Sequence, residues 1–251
     1  MAQTSPKLRL FVDTPLSEGM EVALGRDQAH WLNTVMRAKA GEEVAVFNGR
    51  DGEWRAEIAA LTKSGGSLHP AEQLRPQRPE PDLWLLFAPL KKDATDFVVE
   101  KATELGVSAL GPVFTRHTVA QRVNSERLAA NAREAAEQCE RLSIPRLLPP
   151  ESLEKLLADW DPTRRLLYMD ETGGGAPIAE VASGLDGQSL AVLVGPEGGF
   201  AKSELDALRD LPFATAVGLG PRILRADTAA LAALACLQAW CGDWRDRPAF
   251  R

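Results

Sequence analysis

Two glycine-rich turns carry the residue types most able to do chemistry. The first, Leu193-Val-Gly-Pro-Glu-Gly-Gly-Phe, leaves an apolar run and enters Ala201-Lys-Ser-Glu-Leu, where Ser203 or a neighbour would cap a helix. Gly195, Gly198 and Gly199 let a ligand approach the backbone closely and leave main-chain N–H and C=O groups to bind it. The same residues would equally serve as a tight strand-to-helix turn. The second turn, Val217-Gly-Leu-Gly-Pro-Arg-Ile-Leu-Arg-Ala-Asp-Thr-Ala, again joins a strand to a helix. Arg222 and Arg225 lie three apart there and form a natural anion clamp; the alternative is that Asp227 or Thr228 caps the helix while both arginines pair on the surface. Neither turn has the Gly-Lys-Ser/Thr of a phosphate loop or the Gly-x-Gly-x-x-Gly of a dinucleotide site, which disfavours a nicotinamide-dependent oxidoreductase.

Two further segments bear polar chemistry. Lys91 and Lys92 precede the first turn of a charged helix that runs to a terminating Gly106, and lysines at a strand end suit phosphate. Glu134, Gln138 and Arg141 fall at i, i+4 and i+7, so on a helix running from Ser125 to Leu142 they share one face. That face suits the reading of a base, with carboxylate or amide oxygens accepting and arginine donating, and suits an interhelical polar network equally well.

The elements that must position these groups fall into two parts. Between Leu8 and Leu74, short runs such as Leu8-Arg-Leu-Phe-Val, Glu43-Val-Ala-Val-Phe and Trp54-Arg-Ala-Glu-Ile alternate with Gly, Asn and Asp, predicting a small β-rich domain with one helix over Asp27 to Met36. Three prolines between Pro76 and Asp82 can neither propagate a helix nor sit within a sheet, which places a linker at 76–82 between domains 1–75 and 83–251. Beyond it, continuous apolar runs (Leu83 to Ala88, Val107 to Phe114, Arg165 to Met169, Ser189 to Val194, Phe213 to Leu219) alternate with helical patterns, the last over Ala226 to Trp240. Such runs imply strands covered on both faces, hence an α/β domain with a parallel sheet. Asn124 or Ser125 would cap the helix before Glu134.

Composition sets limits. With 45% hydrophobic and 25% charged residues the chain is an ordinary globular one. No stretch approaches the roughly 20 apolar residues of a spanning helix, and no basic-then-apolar leader begins it, so no membrane partner and a cytoplasmic location are expected. Cys139, Cys236 and Cys241 lack metal-ligand spacing; neither zinc nor a disulfide is expected. The net charge of −6 opposes a polyanionic partner mildly, but six arginines against four acids between Thr115 and Arg146 make that stretch locally basic.

Taken in order, His30-Trp-Leu-Asn-Thr-Val-Met-Arg-Ala-Lys-Ala-Gly, Glu100-Lys-Ala-Thr-Glu-Leu-Gly-Val, Glu134-Ala-Ala-Glu-Gln-Cys-Glu-Arg with Ile144-Pro145, Gly195-Pro-Glu-Gly-Gly and Leu219-Gly-Pro-Arg-Ile-Leu-Arg resemble the bacterial small-subunit ribosomal RNA uridine N3-methyltransferases of the SPOUT superfamily. Trp31 stands where that family often repeats His, and Asp227 where Glu is common. The resemblance implies a PUA-like N-terminal β-barrel for RNA docking, a parallel sheet whose C-terminal part forms a deep trefoil knot, a homodimer, and 16S ribosomal RNA or the small ribosomal subunit as partner. It implies S-adenosylmethionine as cofactor, held by Leu193, Gly195, Pro196, Glu197 and Gly198 from one turn and Leu219, Gly220, Ile223 and Leu224 from the other, with Met169 lining the pocket and no metal. Arg9, Arg37, Lys91, Lys92, Arg116 and Arg222 would meet RNA. For the loss of the uridine N3 proton, a carboxylate such as Glu134 or Glu197 would act as base, or Arg225 or Arg141 would stabilise the developing anion, the latter being favoured. The competing class is a non-catalytic RNA-binding or assembly protein.

Overall fold

The protein is described by a computed structural model over residues 6–246. These residues divide into two compact units, 6–79 with 136–144, and 80–135 with 145–246.

The first unit contains β1 (Arg9–Phe11), β2 (Val22–Leu24), α1 (Arg26–His30) with a π-helical continuation over Trp31–Val35, β3 (Glu43–Phe47), β4 (Glu53–Leu61) and β5 (Gly66–Arg75). The strands order β1-β3-β4-β5-β2, with β1 and β3 parallel and the other pairs antiparallel. Three register shifts between β4 and β5 curl the sheet, since each places extra backbone on one strand. Alternation puts Val44, Val46, Ile58 and Leu68 inside, where Leu32 covers them. β2 and β5 are strands that the sequence does not announce, because their short or polar-rich stretches carry weak period-two patterns.

Arg9 departs from the expectation that it meets RNA. It is 6% exposed and spends its guanidinium inside this unit. Nε donates to Glu53 Oε1 at 2.6 Å, one terminal nitrogen donates to the carbonyls of Ala136 and Glu137, and the other to that of Arg141 at 2.7 Å. Glu53 accepts from Arg75 Nε at 2.7 Å through its second oxygen, and Arg75 also donates to the Glu140 carbonyl. The carbonyls of Ala136 and Glu137 belong to the last turn of a helix and those of Glu140 and Arg141 follow it, so the buried cations oppose the negative end of the helix dipole. The contiguous domain reading missed this: residues 136–144 join the first unit because its arginines bond their backbone.

The second unit runs β6 (Leu83–Phe87), α2 (Lys92–Glu104), β7 (Ala109–Phe114), α3 (Ser125–Gln138), β8 (Arg146–Leu147), β9 (Glu151–Ser152), α4 (Leu153–Ala158), β10 (Arg165–Met169), β11 (Ala176–Pro177), α5 (Ile178–Ala182), β12 (Leu190–Val194), α6 (Lys202–Arg209), β13 (Ala214–Gly218) and α7 (Ala226–Cys241). Its strands are all parallel in the order β11-β13-β10-β12-β6-β7-β8, with β9 beside the end of β7. Every residue of β12 is buried, as its unbroken apolar run requires. Asn124 caps α3 by accepting from the Arg127 amide at 3.0 Å. The helix stops at Gln138, four residues short of the expected end, and Glu140 takes a left-handed φ of 64°. Arg141 therefore leaves the face that Glu134 and Gln138 share.

The order of the strands decides where a ligand can go. β10 sits between β13 and β12 although it precedes both in the chain, so the three loops that follow these strands emerge side by side at one carboxyl edge. In parallel α/β sheets that edge is where binding crevices form.

Candidate cofactor site

Those three loops, with the first turn of α7, line a cavity of about 620 Å³, within the range usual for small-molecule sites. The first loop follows β10. Met169 is buried opposite Val217 in the ladder, and the Asp170 amide continues the pairing by donating to the Val217 carbonyl at 3.0 Å. Asp170 Oδ1 then accepts from both the amide and the hydroxyl of Thr172, an Asx turn that fixes the loop's exit. Its Oδ2 is buried without a hydrogen bond and has the Arg209 guanidinium 3.6 Å away. Burial, followed by the Asp170 charge, pushes the hydroxyl of Tyr168 above the usual tyrosine range. At the end of the loop Gly175 lies against β13 so closely that a Cβ would stand 2.5 Å from the Val217 carbonyl carbon; only glycine fits.

The second loop follows β12. The Gly199 amide donates to the Pro196 carbonyl at 2.9 Å, closing a turn in which Gly199 has φ +67°. Phe200 is buried and its ring lies 3.0 to 3.2 Å from where a Gly195 Cβ would be. The next helix, α6, begins at an Ala201 cap rather than at Ser203, with Glu204 reaching back to accept from the Ala201 amide at 2.8 Å.

The third loop, Leu219 to Arg225, follows β13. Arg225 occupies the N-cap of α7 and its carbonyl accepts from Ala229 at 2.8 Å. Asp227 accepts from the Thr228 amide inside the first turn, so it does not cap from the Arg225 position. Arg222 and Arg225 both line the cavity, are exposed, and among the described residues make no ion pair. The structure thus brings the two arginines to a ligand space and does not pair them off on the surface.

Eleven of the residues singled out in the sequence line this one cavity: Met169, Gly195, Pro196, Glu197, Gly199, Leu219, Gly220, Arg222, Ile223, Leu224 and Arg225. Leu193 does not. It is fully buried in the core beneath and pairs in register with Tyr168 and Leu86, so the cavity wall begins at Val194. Gly198 also stays outside the wall, with its carbonyl turned to His117. Glu134 is exposed on α3 and Arg141 lies in the first unit; neither lines the cavity. The loop Asp170 to Gly175 was missed, although Gly173-Gly174-Gly175 shortly after an apolar strand is the same signal that marked the other two turns.

Lys91 caps α2 at the carboxyl end of β6, Lys92 follows it, and Arg116 leaves β7 at the same edge; all three are exposed. Arg37 is exposed in the first unit, with φ 57° after the π-helical turn. Among the described residues no cluster of three His, Cys, Asp or Glu is placed to hold a metal ion, and no helix is long and apolar enough to cross a membrane.

The cavity combines the carboxylates of Asp170, Glu171 and Glu197 with two guanidinium groups, apolar side chains and the bare main chain of its turns. That set suits a ligand that bears both positive and negative groups beside an apolar part. A family profile described as an RNA methyltransferase domain matches residues 77–238, and one described as an RNA methyltransferase PUA domain matches 24–68. The ribosomal RNA small subunit methyltransferase E of Rickettsia conorii is 34% identical over 233 residues, which cover 90% of this chain and 93% of the relative. A ribosomal RNA small subunit methyltransferase E from Neisseria gonorrhoeae, solved bound to S-adenosylmethionine, superposes with a TM-score of 0.86 at 27% identity over 96% of this chain and all of the other. A methyltransferase from Legionella pneumophila, solved with the same cofactor, gives 0.85 at 27% identity over 94% and 98%. The chain belongs to the RNA methyltransferase family typified by ribosomal RNA small subunit methyltransferase E.

Proposed function

We propose that this protein methylates N3 of a uridine in the 16S RNA of the small ribosomal subunit, with S-adenosylmethionine as donor. The observation that carries the reading is the placement of Arg225 beside the two glycine turns in one cavity of mixed charge. The residues present fit that cofactor. Main-chain groups of 194–199 and 219–224 suit an adenosine, Met169 and Leu224 suit its ring, and the carboxylates of Asp170 and Glu171 would meet its cationic groups.

When bound, the cofactor supplies a methyl group already activated on a sulfonium, so the chain's own work is alignment and charge. Uridine N3 attacks only after its proton is lost. Arg225, exposed at the cavity with no acidic partner among the described residues, stabilises the negative charge that then develops on the ring. Of the two carboxylates weighed as bases, Glu197 lines the cavity and Glu134 does not. Of that pair Glu197 is therefore the one placed to accept the N3 proton, on a wall that also carries Asp170 and Glu171. Lys91, Lys92, Arg116 and Arg222, at the carboxyl edge, take RNA phosphates, and Arg37 does so from the first unit. Arg9 is removed from that set by its burial.

The position of β10 between β12 and β13 supports a knotted threading of 165–225, and exposed Trp240, Trp244 and Ile223, the last 85% exposed, support a homodimer. A cytoplasmic location follows from the substrate. The competing reading, a non-catalytic RNA-binding protein, is separated by one experiment. Calorimetric titration with S-adenosylmethionine, followed by transfer of labelled methyl to small-subunit RNA and mapping of the modified base, should give binding and a single N3-methyluridine. Folded protein that binds no cofactor would leave the binding reading; methylation at another atom would overturn the N3 assignment.

A further inference from the structure

After β7 the chain turns at Thr115 to Thr118, where the Thr115 amide donates to the Thr118 hydroxyl at 2.9 Å and the Thr118 amide to the Thr115 carbonyl at 3.1 Å. This turn lays the imidazole of His117 against the glycine turn of the cavity. Its Nδ1 is 3.1 Å from the Gly198 carbonyl oxygen and 3.1 Å from that of Gly199. Both oxygens can only accept, so the proton sits on Nδ1 and is shared between them. The contact is close: a Cβ on Gly198 would stand 3.3 Å from the His117 Cβ. A second tie lies next to it, where the Arg116 amide donates to Glu204 Oε1 at 2.9 Å while Glu204 Oε2 accepts from Ala201.

His117 is not part of the cavity wall, whereas Gly195, Pro196, Glu197 and Gly199 are. It grips the turn from outside. Adjacent glycines have the widest choice of backbone conformations, and a turn built on them loses the most freedom when a ligand orders it. By holding the 198 and 199 carbonyls, His117 sets the two peptide planes that follow them before any ligand arrives. We infer that His117 is a positioning residue that preorganises the glycine turn for the cofactor, setting affinity and leaving the transfer step alone. The inference rests on the proposed cofactor reading.

The test compares His117→Ala and His117→Asn with the unaltered full-length protein. The Asn side-chain nitrogen takes the place of Nδ1 and always carries hydrogen. His117→Ala should weaken the Kd for S-adenosylmethionine about three- to tenfold, the effect of one such hydrogen-bonded group. The KM for cofactor should rise in step, while kcat at saturating cofactor stays within about twofold. His117→Asn should recover most of the affinity, and thermal midpoints should coincide because the side chain is exposed. An alanine variant with unchanged Kd, an asparagine variant as weak as alanine, or a fall in kcat without a change in KM would each overturn the inference while leaving the cofactor reading intact. Wild-type protein that binds no cofactor would overturn both.

Discussion

Replacing Gly199 by alanine tests whether the turn after β12 must keep its observed shape to hold a ligand. Two costs arise. Gly199 has φ +67°, where an L-residue is disfavoured by roughly 1–2 kcal/mol. A Cβ there would also overlap the Glu171 carboxylate, but that group is the exposed end of a flexible side chain and can swing away cheaply. Backbone strain therefore decides the magnitude. In the alanine variant that strain is enough to pull the turn away from the shape the His117 contacts hold in wild type, and restoring it around a ligand costs about 1–2 kcal/mol, which corresponds to about a 5- to 30-fold weaker Kd. Gly184→Ala is the control. Gly184 has φ +91°, open space where its Cβ would go, and no place in the cavity wall. It carries similar strain and should lower the thermal midpoint by a few degrees with cofactor affinity unchanged. Titration calorimetry with S-adenosylmethionine, paired with thermal unfolding of both variants, makes the comparison. Gly199→Ala binding within twofold of wild type, or Gly184→Ala binding equally weakened, would refute the reasoning.

Glu53→Ala leaves the Arg9 charge buried with only carbonyl partners and should destabilise the first unit by about 3–5 kcal/mol in denaturant unfolding; a loss below about 1 kcal/mol would show that the carbonyls alone suffice. The same carboxyl predicts acid sensitivity: burial alone would raise its pKa, but Arg75 and Arg9 together hold it below the ordinary value of 4.5. Its contribution is thus complete above pH 4.5 and is lost as pH falls from there through the lower folded value; Glu53→Gln should show a flatter acid limb, and parallel limbs would contradict the assignment. Arg225→Ala should cut kcat by about 10²- to 10³-fold with cofactor Kd within about threefold, measured by single-turnover methyl transfer at saturating RNA; full turnover would remove Arg225 from the transition state.

Much of the second unit was legible because its signals are local. The strand Arg165–Met169 matches its apolar run, Leu190–Val194 lies inside its own, and Gly106 ends α2 with φ +81°, a conformation glycine adopts freely. The glycine turns were legible as ligand turns for the same reason: a turn's shape follows from the few residues that make it. The end of α3 was not. Helical propensity continues past Gln138, and the arginines that bond carbonyls of the last turn and of the segment after it come from β1 and β5, far away in the chain. Arg9 was misread on the same ground, since an arginine in a strand looks exposed until Glu53, 44 residues away, is seen to pair with it. His117 carried no signal at all, because nothing in Thr-Arg-His-Thr reveals two carbonyl oxygens 81 and 82 residues further on. The sequence by itself determined the longer apolar strands of the second unit, two of the three turns that line the cavity, and, through ordered matches along the chain, the family. Only the tertiary structure decided that three such turns share one cavity and which residues hold it from outside. The physical reason is that strand order and long-range hydrogen bonds depend on which elements pack together, and residue spacing along the chain does not record that.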